Sequence, residues 1–189
     1  LDTVARNDFH GTLPGAFSAH PKFDPHTREL HAMTYAWPDW LEEGKIQYVV
    51  VGEDGRVSRT VDIPVPGMVM VHDMSLTDRY AVVYDLPVTV DLDLAFQERF
   101  PFTWNADYEP RVGLLPRHGT AADIIWCEAP QSYVFHPLNA YDTEDGRVVI
   151  DVCRYERMFD SDILGPFGDT LPTLNRWEID PAAGKVSES

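Results

Sequence analysis

Short strands separated by tight turns recur along the chain and constrain its fold more than any other feature. The run 46–51, Ile-Gln-Tyr-Val-Val-Val, is followed by Asp54-Gly55 and then by the alternating segment 56–63. Asp-Gly is typical of a hairpin, because glycine adopts the positive φ angle that the turn needs. Similar strand–turn units begin at the turns 23–30, 141–146 and 179–184. We therefore predict an all-β protein: a sandwich, a barrel or a propeller.

The segments between these units also favour strands. A short helix is predicted at 92–100, and Pro101 would end it because proline has no amide hydrogen to donate. No segment sustains the 3.6-residue period of a long amphipathic helix. Further strands are predicted at 31–37, 68–71, 80–84, 124–128, 132–135 and 147–153.

The charge balance and the missing motifs exclude several classes of function. Acidic residues number 31 against 15 Lys and Arg, which gives a formal net charge of −16. Such a surface repels nucleic acid and anionic membranes, and no apolar run is long enough to span a bilayer. The sequence contains neither a glycine-rich phosphate loop nor a GxSxG nucleophile elbow.

The two cysteines, Cys127 and Cys153, lack CxxC spacing and cannot form a disulfide framework. We interpret them as small buried apolar residues. Unpaired thiols of this kind fit a reducing compartment, so we expect a cytoplasmic location.

Histidines are the residues with the most distinctive settings. The chain has seven of them, at positions 10, 20, 26, 31, 72, 118 and 136. Three of these, His20, His72 and His136, lie where a predicted strand meets a loop, and converging strand ends are a rigid way to hold a metal. Asp73 follows His72 directly, but neighbours in a strand face opposite sides. Taken alone, each histidine is more often structural, so both roles stay open.

The three settings together resemble motifs of the carotenoid cleavage oxygenase family, which includes lignostilbene dioxygenases and the retinal isomerohydrolase. Ala-His-Pro-Lys at 19–22 resembles the first histidine motif, and Val-His-Asp at 71–73 resembles the second. Phe-His-Pro-Leu-Asn-Ala-Tyr at 135–141 resembles the third, preceded by Arg-Val-Gly-Leu-Leu-Pro-Arg at 111–117. The order and approximate spacing of the motifs also match the family, and the resemblance extends over nearly the whole chain.

This resemblance implies a fold and a metal. The family fold is a seven-bladed β-propeller, of which residues 1–189 would be a central fragment of about three to four blades. It implies Fe(II) on the propeller axis, with His20, His72 and His136 as metal-binding and catalytic residues. The family's fourth histidine and its ligand-orienting glutamates are expected outside this chain.

The implied activity is that of a non-haem dioxygenase, which uses O₂ to cleave a conjugated C=C bond of a carotenoid, apocarotenoid or stilbene into two carbonyl products. The expected partners are an apolar conjugated small molecule and O₂, and no nucleic acid. We expect this activity of the intact protein and expect the isolated chain to be inactive. A non-catalytic β-propeller binding module, or an inactive fragment with structural histidines, is the alternative.

Aromatic residues are candidates for the walls of an apolar substrate tunnel. One group comprises Phe100, Phe102 and Trp104, and the other comprises Trp37 and Trp40. Ordinary core packing is the alternative role for both groups.

Overall fold

Antiparallel strands make up most of the computed structural model, which describes residues 2–35, 44–161 and 170–189. Helix α1 (Leu92–Phe96) occupies the first part of the predicted helical segment, and the side chain of Asp91 caps it by accepting two backbone hydrogen bonds. A 3₁₀ turn spans Ala121–Asp123. None of the helices in the described segments has the length and apolar character needed to span a bilayer.

The first sheet contains four strands, and each pairs antiparallel with the next one in sequence. Gly55 takes the positive φ of 74° that its predicted turn requires, and Arg28 takes φ of 60° in the preceding hairpin. We call this sheet the first blade; its strands are β1 (Lys22–Phe23), β2 (Leu30–Tyr35), β3 (Lys45–Val51) and β4 (Val57–Pro64).

The second sheet has eight strands and consists of two similar four-stranded units. A parallel pairing between Glu128 and Lys185 joins the fourth strands of the two units. The second blade comprises β5 (Ser75–Leu76), β6 (Tyr80–Asp85), β9 (Arg111–Pro116) and β10 (Ile125–Glu128). The third blade comprises β11 (Tyr133–Asp142), β12 (Val148–Tyr155), β13 (Thr173–Asp180) and β14 (Lys185–Glu188).

A small hairpin of β7 (Val88–Val90) and β8 (Phe102–Trp104) is inserted between the second and third strands of the second blade. The described residues thus form three successive antiparallel blades. The prediction of an all-β chain that is part of a β-propeller is confirmed.

Two apolar cores lie between the blades, and strand β6 contributes to both. Because side chains alternate across a strand, Ala81 and Val83 face the core shared with the first blade, whereas Val82 and Tyr84 face the core shared with the third. All four side chains are at most 3% exposed. Burying a valine of this kind stabilises the fold by about 1.5–3 kcal/mol. The second blade is therefore fixed against both of its neighbours.

The strand predicted at 68–71 is wrong, because this segment does not form a strand of any blade. Only an isolated bridge joins Val69 to Thr89 there, supported by backbone hydrogen bonds of 2.8 and 2.9 Å that Met70 and Met68 make with the β7 strand. Val69 and Val71 fill the core between the first and second blades. The apolar pattern of this segment therefore reflects burial rather than a place in a blade.

The remaining sequence expectations concern side chains. Cys127 is a buried free thiol and Cys153 a half-buried one. Phe102 and Trp104 pack against the core between the second and third blades. The aromatic pair Trp37 and Trp40 lies outside the described residues.

Candidate metal centre

Each of the three predicted histidines lies at the first strand of a different blade. His20 precedes β1 by two residues, His72 precedes β5 by three, and His136 is the fourth residue of β11. Residues of these three strands line one shared cavity of about 460 Å³, which the three histidines themselves do not line. The repeated blade topology therefore brings one imidazole from each blade to the same region.

The three imidazoles converge closely enough to share a metal ion. One ligand nitrogen from each of His20, His72 and His136 lies within 4.8 Å of the other two. The Nε2 atoms of His20 and His72 are 2.9 Å apart. Two nitrogens bound at right angles to one metal at about 2.1 Å would be about 3.0 Å apart, so this spacing fits shared coordination. The other four histidines, all in the described part of the chain, are not in this group.

A β-bulge changes the direction in which the side chain of His136 points. The register of β11 against β12 shifts between Val134 and His136, so Phe135 is an extra residue in the strand. A second shift, between Pro137 and Asn139, explains how a proline is tolerated within the strand. Bulges redirect side chains at functional sites. The predicted end of the strand at Phe135 was wrong, because the strand continues through the histidine to Asp142.

The extra residue Phe135 also fixes the ring of His72. The two rings stack with centroids 3.7 Å apart and planes inclined by 19°. Phe135 meets His136 edge-on at 4.8 Å. The third blade thus supplies both an imidazole and the surface against which the second blade's imidazole rests. The sequence placed Phe135 next to a motif histidine but gave no sign of this contact.

Burial keeps two of the imidazoles in the form that binds metal. Burial, with smaller contributions from neighbouring His20 and His136, lowers the pKa of His72 to about 4, whereas Asp73 opposes the change. Burial and the proximity of His20 lower the pKa of His136 as well. A metal requires the neutral imidazole with a free lone pair. His72 and His136 are therefore in the ligating form at neutral pH.

Asp73 is buried beside the centre and does not hydrogen-bond to His72. Its Oδ1 lies 2.7 Å from Nζ of Lys22 and accepts a 2.6 Å hydrogen bond from the backbone N–H of Met74. The donor group that the described residues bring together thus consists of imidazoles alone. Imidazole suits iron, zinc, copper and nickel, so this set fits iron among other transition metals.

Comparison with known proteins agrees with this geometry. The chain matches the model of the family described as retinal pigment epithelial membrane protein over residues 1–189. It is 42% identical over 229 aligned positions to a carotenoid cleavage oxygenase of Mycobacterium tuberculosis, covering 99% of this chain and 45% of that protein.

Two solved structures extend the similarity to the fold. A lignostilbene dioxygenase of Pseudomonas brassicacearum superimposes with a TM-score of 0.84 at 32% identity, covering 100% of this chain and 41% of that one. Cobalt-substituted Synechocystis ACO gives a TM-score of 0.77 at 26% identity, covering 100% of this chain and 42% of that one.

The chain therefore belongs to the retinal pigment epithelial membrane protein family, that of the carotenoid cleavage oxygenases. It spans less than half the length of the relatives that it matches.

Proposed function

We propose that the full-length protein containing this chain is a non-haem Fe(II) dioxygenase that cleaves one conjugated C=C bond of a carotenoid, apocarotenoid or stilbene. The observation that carries the proposal is the convergence of three imidazoles from three blades. The names of the relatives supply the substrate class: one is a carotenoid cleavage oxygenase and another a lignostilbene dioxygenase.

The residues of this chain would hold the metal and orient its ligands. His20, His72 and His136 each offer one neutral nitrogen, and Phe135 restricts rotation of the His72 ring. Bound iron would supply the activation of O₂. The imidazoles bring no negative charge, and the nearby carboxylate of Asp73 is engaged by Lys22. The protein's own contribution is therefore a neutral, rigid set of donors.

The proposed reaction is balanced without a further reductant. The C=C bond and the O–O bond break, and two C=O bonds form, so both oxygen atoms enter the two carbonyl products. The substrate is an apolar conjugated molecule, and recognition must come mainly from apolar contact rather than charge.

The test uses the full-length protein supplied with Fe(II), with a carotenoid, an apocarotenoid and a stilbene as substrates. Products formed under ¹⁸O₂ are analysed by mass spectrometry, and each carbonyl product should carry one labelled oxygen. Changing His72 or His136 to alanine should abolish cleavage and leave the circular dichroism spectrum unchanged. The matched control is H118A, which removes an exposed histidine outside the group. Activity that survives thorough iron removal, or survives H72A, would refute the proposal.

A further inference from the structure

Lys22 and Asp73 form an ion pair between the two chain segments that carry His20 and His72. The Nζ of Lys22 lies 2.7 Å from Oδ1 of Asp73. Lys22 follows His20 by two residues at the start of β1, and Asp73 follows His72 directly. Strands β1 and β5 belong to different sheets, so no backbone ladder sets the spacing of these segments.

The carboxylate of Asp73 is held in place by burial and by a backbone hydrogen bond. The side chain of Asp73 is only 4% exposed, and its Oδ1 also accepts the backbone N–H of Met74 at 2.6 Å. Met74 itself is completely buried in the core between the first and second blades. A buried carboxylate is stable only with a compensating partner. Lys22, which extends from the first blade, provides that partner.

The position of His136 relative to His72 is secured by other contacts. The hydroxyl of Tyr133 donates a 2.9 Å hydrogen bond to the carbonyl of Met70, and Phe135 stacks on His72. These contacts join the third blade to the segment of His72 and do not involve Lys22. The ion pair therefore acts on the spacing between His20 and His72.

A second ion pair also joins the first two blades. Arg117, just beyond β9, pairs with Asp24, just beyond β1. The apolar core between these blades does not include Lys22. Loss of the Lys22 charge should therefore act locally on the centre and leave the packing of the blades in place.

We propose that the Lys22–Asp73 ion pair positions His20 against His72 and thereby sets the affinity of the centre for its metal. The inference rests on the proposed metal site at the three histidines. Lys22 and Asp73 act through the ligands and are positioning residues.

The test measures Co(II) binding to the metal-free full-length protein, followed by the visible absorption of the bound ion. K22M keeps most of the side-chain length and removes the charge, and D73N keeps the shape of the carboxylate. Each should weaken Co(II) binding by about tenfold or more and change the absorption bands, as loss of ligand-supporting contacts typically does. The double variant should bind no more weakly than the weaker single variant, since the two residues act as a unit.

Two controls separate positioning from a general structural effect. K22R keeps the positive charge and should recover affinity relative to K22M. K45M removes another Lys–Asp pair, Lys45 with Asp62 at 3.3 Å, which lies within the first blade. It should leave Co(II) affinity within about twofold of the original protein, because distant sites act independently.

The outcomes distinguish this inference from the proposed function. If H72A abolishes Co(II) binding while K22M and D73N bind with unchanged affinity and spectrum, the metal site stands and the positioning role is refuted. If the original protein binds no Co(II), or H72A binds as well as the original, both proposals fail. Circular dichroism of the metal-free variants reports folding, and D73N decides the question if K22M does not fold.

Discussion

Protonation of His31 should destabilise the fold at mildly acidic pH. The side chain is 2% exposed, and its Nε2 lies 3.2 Å from a guanidinium nitrogen of Arg117. Because arginine can only donate, Nε2 must accept, and the proton of the neutral ring lies on Nδ1. That nitrogen donates to the hydroxyl of Tyr48 at 2.7 Å. A second ring proton would therefore point at a cation.

The magnitude follows from the pKa. Burial, followed by the charge of Arg117, lowers the pKa of His31 from 6.5 to about 4, although Glu29 and Asp24 oppose the change. The unfolded chain takes up the proton below pH 6.5, whereas the folded chain takes it up only near pH 4. The stabilising contribution is thus complete above pH 6.5 and is lost as the pH falls. It amounts to about 3 kcal/mol in all, of which about 2 kcal/mol is lost by pH 5.

The assay compares the full-length protein with its H31Q variant by urea unfolding at about pH 7.5 and pH 5. Glutamine keeps one donor and one acceptor but cannot titrate, so the comparison cancels the titration of other groups. H31Q should be less stable by about 1–3 kcal/mol at the higher pH, because its hydrogen bonds to Arg117 and Tyr48 are imperfect. At pH 5 the original protein should lose about 2 kcal/mol relative to H31Q, so the difference should fall to between about +1 and −1 kcal/mol. A difference that does not change with pH would refute the argument.

Three further outcomes are expected. Changing Phe135 to leucine removes the ring stacked on His72; Co(II) affinity of the full-length protein should fall about tenfold, and an unchanged titration would contradict this. Changing Tyr84 to phenylalanine leaves the buried Ser75 hydroxyl without its 2.8 Å partner and should cost about 1–3 kcal/mol in urea unfolding; an unaltered midpoint would count against it. The isolated 189-residue chain should be inactive toward carotenoids and stilbenes and should associate in light scattering through unpaired strand edges, whereas turnover by a monodisperse sample would disprove the expectation.

The parts of the fold that could be predicted from sequence are those that local residues determine. Gly55, Gly146 and Gly184 adopt φ angles of 74°, 94° and 66°, each in a turn that was predicted from neighbouring residues. The residue preferences of turns act over only a few positions, so a turn can be predicted without knowledge of the rest of the chain. The histidines could be singled out in the same way, because each has a distinctive immediate setting.

The features that sequence reasoning missed depend on contacts between distant segments. The bulge at Phe135 depends on the pairing of β11 with β12. The segment of Val69 is apolar because it is buried in a core, and this apolar pattern resembles that of a strand. The Lys22–Asp73 pair joins residues 51 positions apart, in segments that lead into different sheets. Alternation along the chain specifies which faces are buried, but not which blade a side chain meets.

The precision of the candidate centre therefore comes from the packing of the blades rather than from any one loop. His20, His72 and His136 lie in or just before the first strands of three blades, and the two interblade cores hold those blades against one another. Strand β6 has side chains in both cores, so a displacement of the second blade would move His72 relative to both other ligands. Protein interiors are packed as densely as organic crystals and transmit strain. The spacing of the three ligand nitrogens, and with it the affinity for a metal, consequently depends on the packing between all three blades.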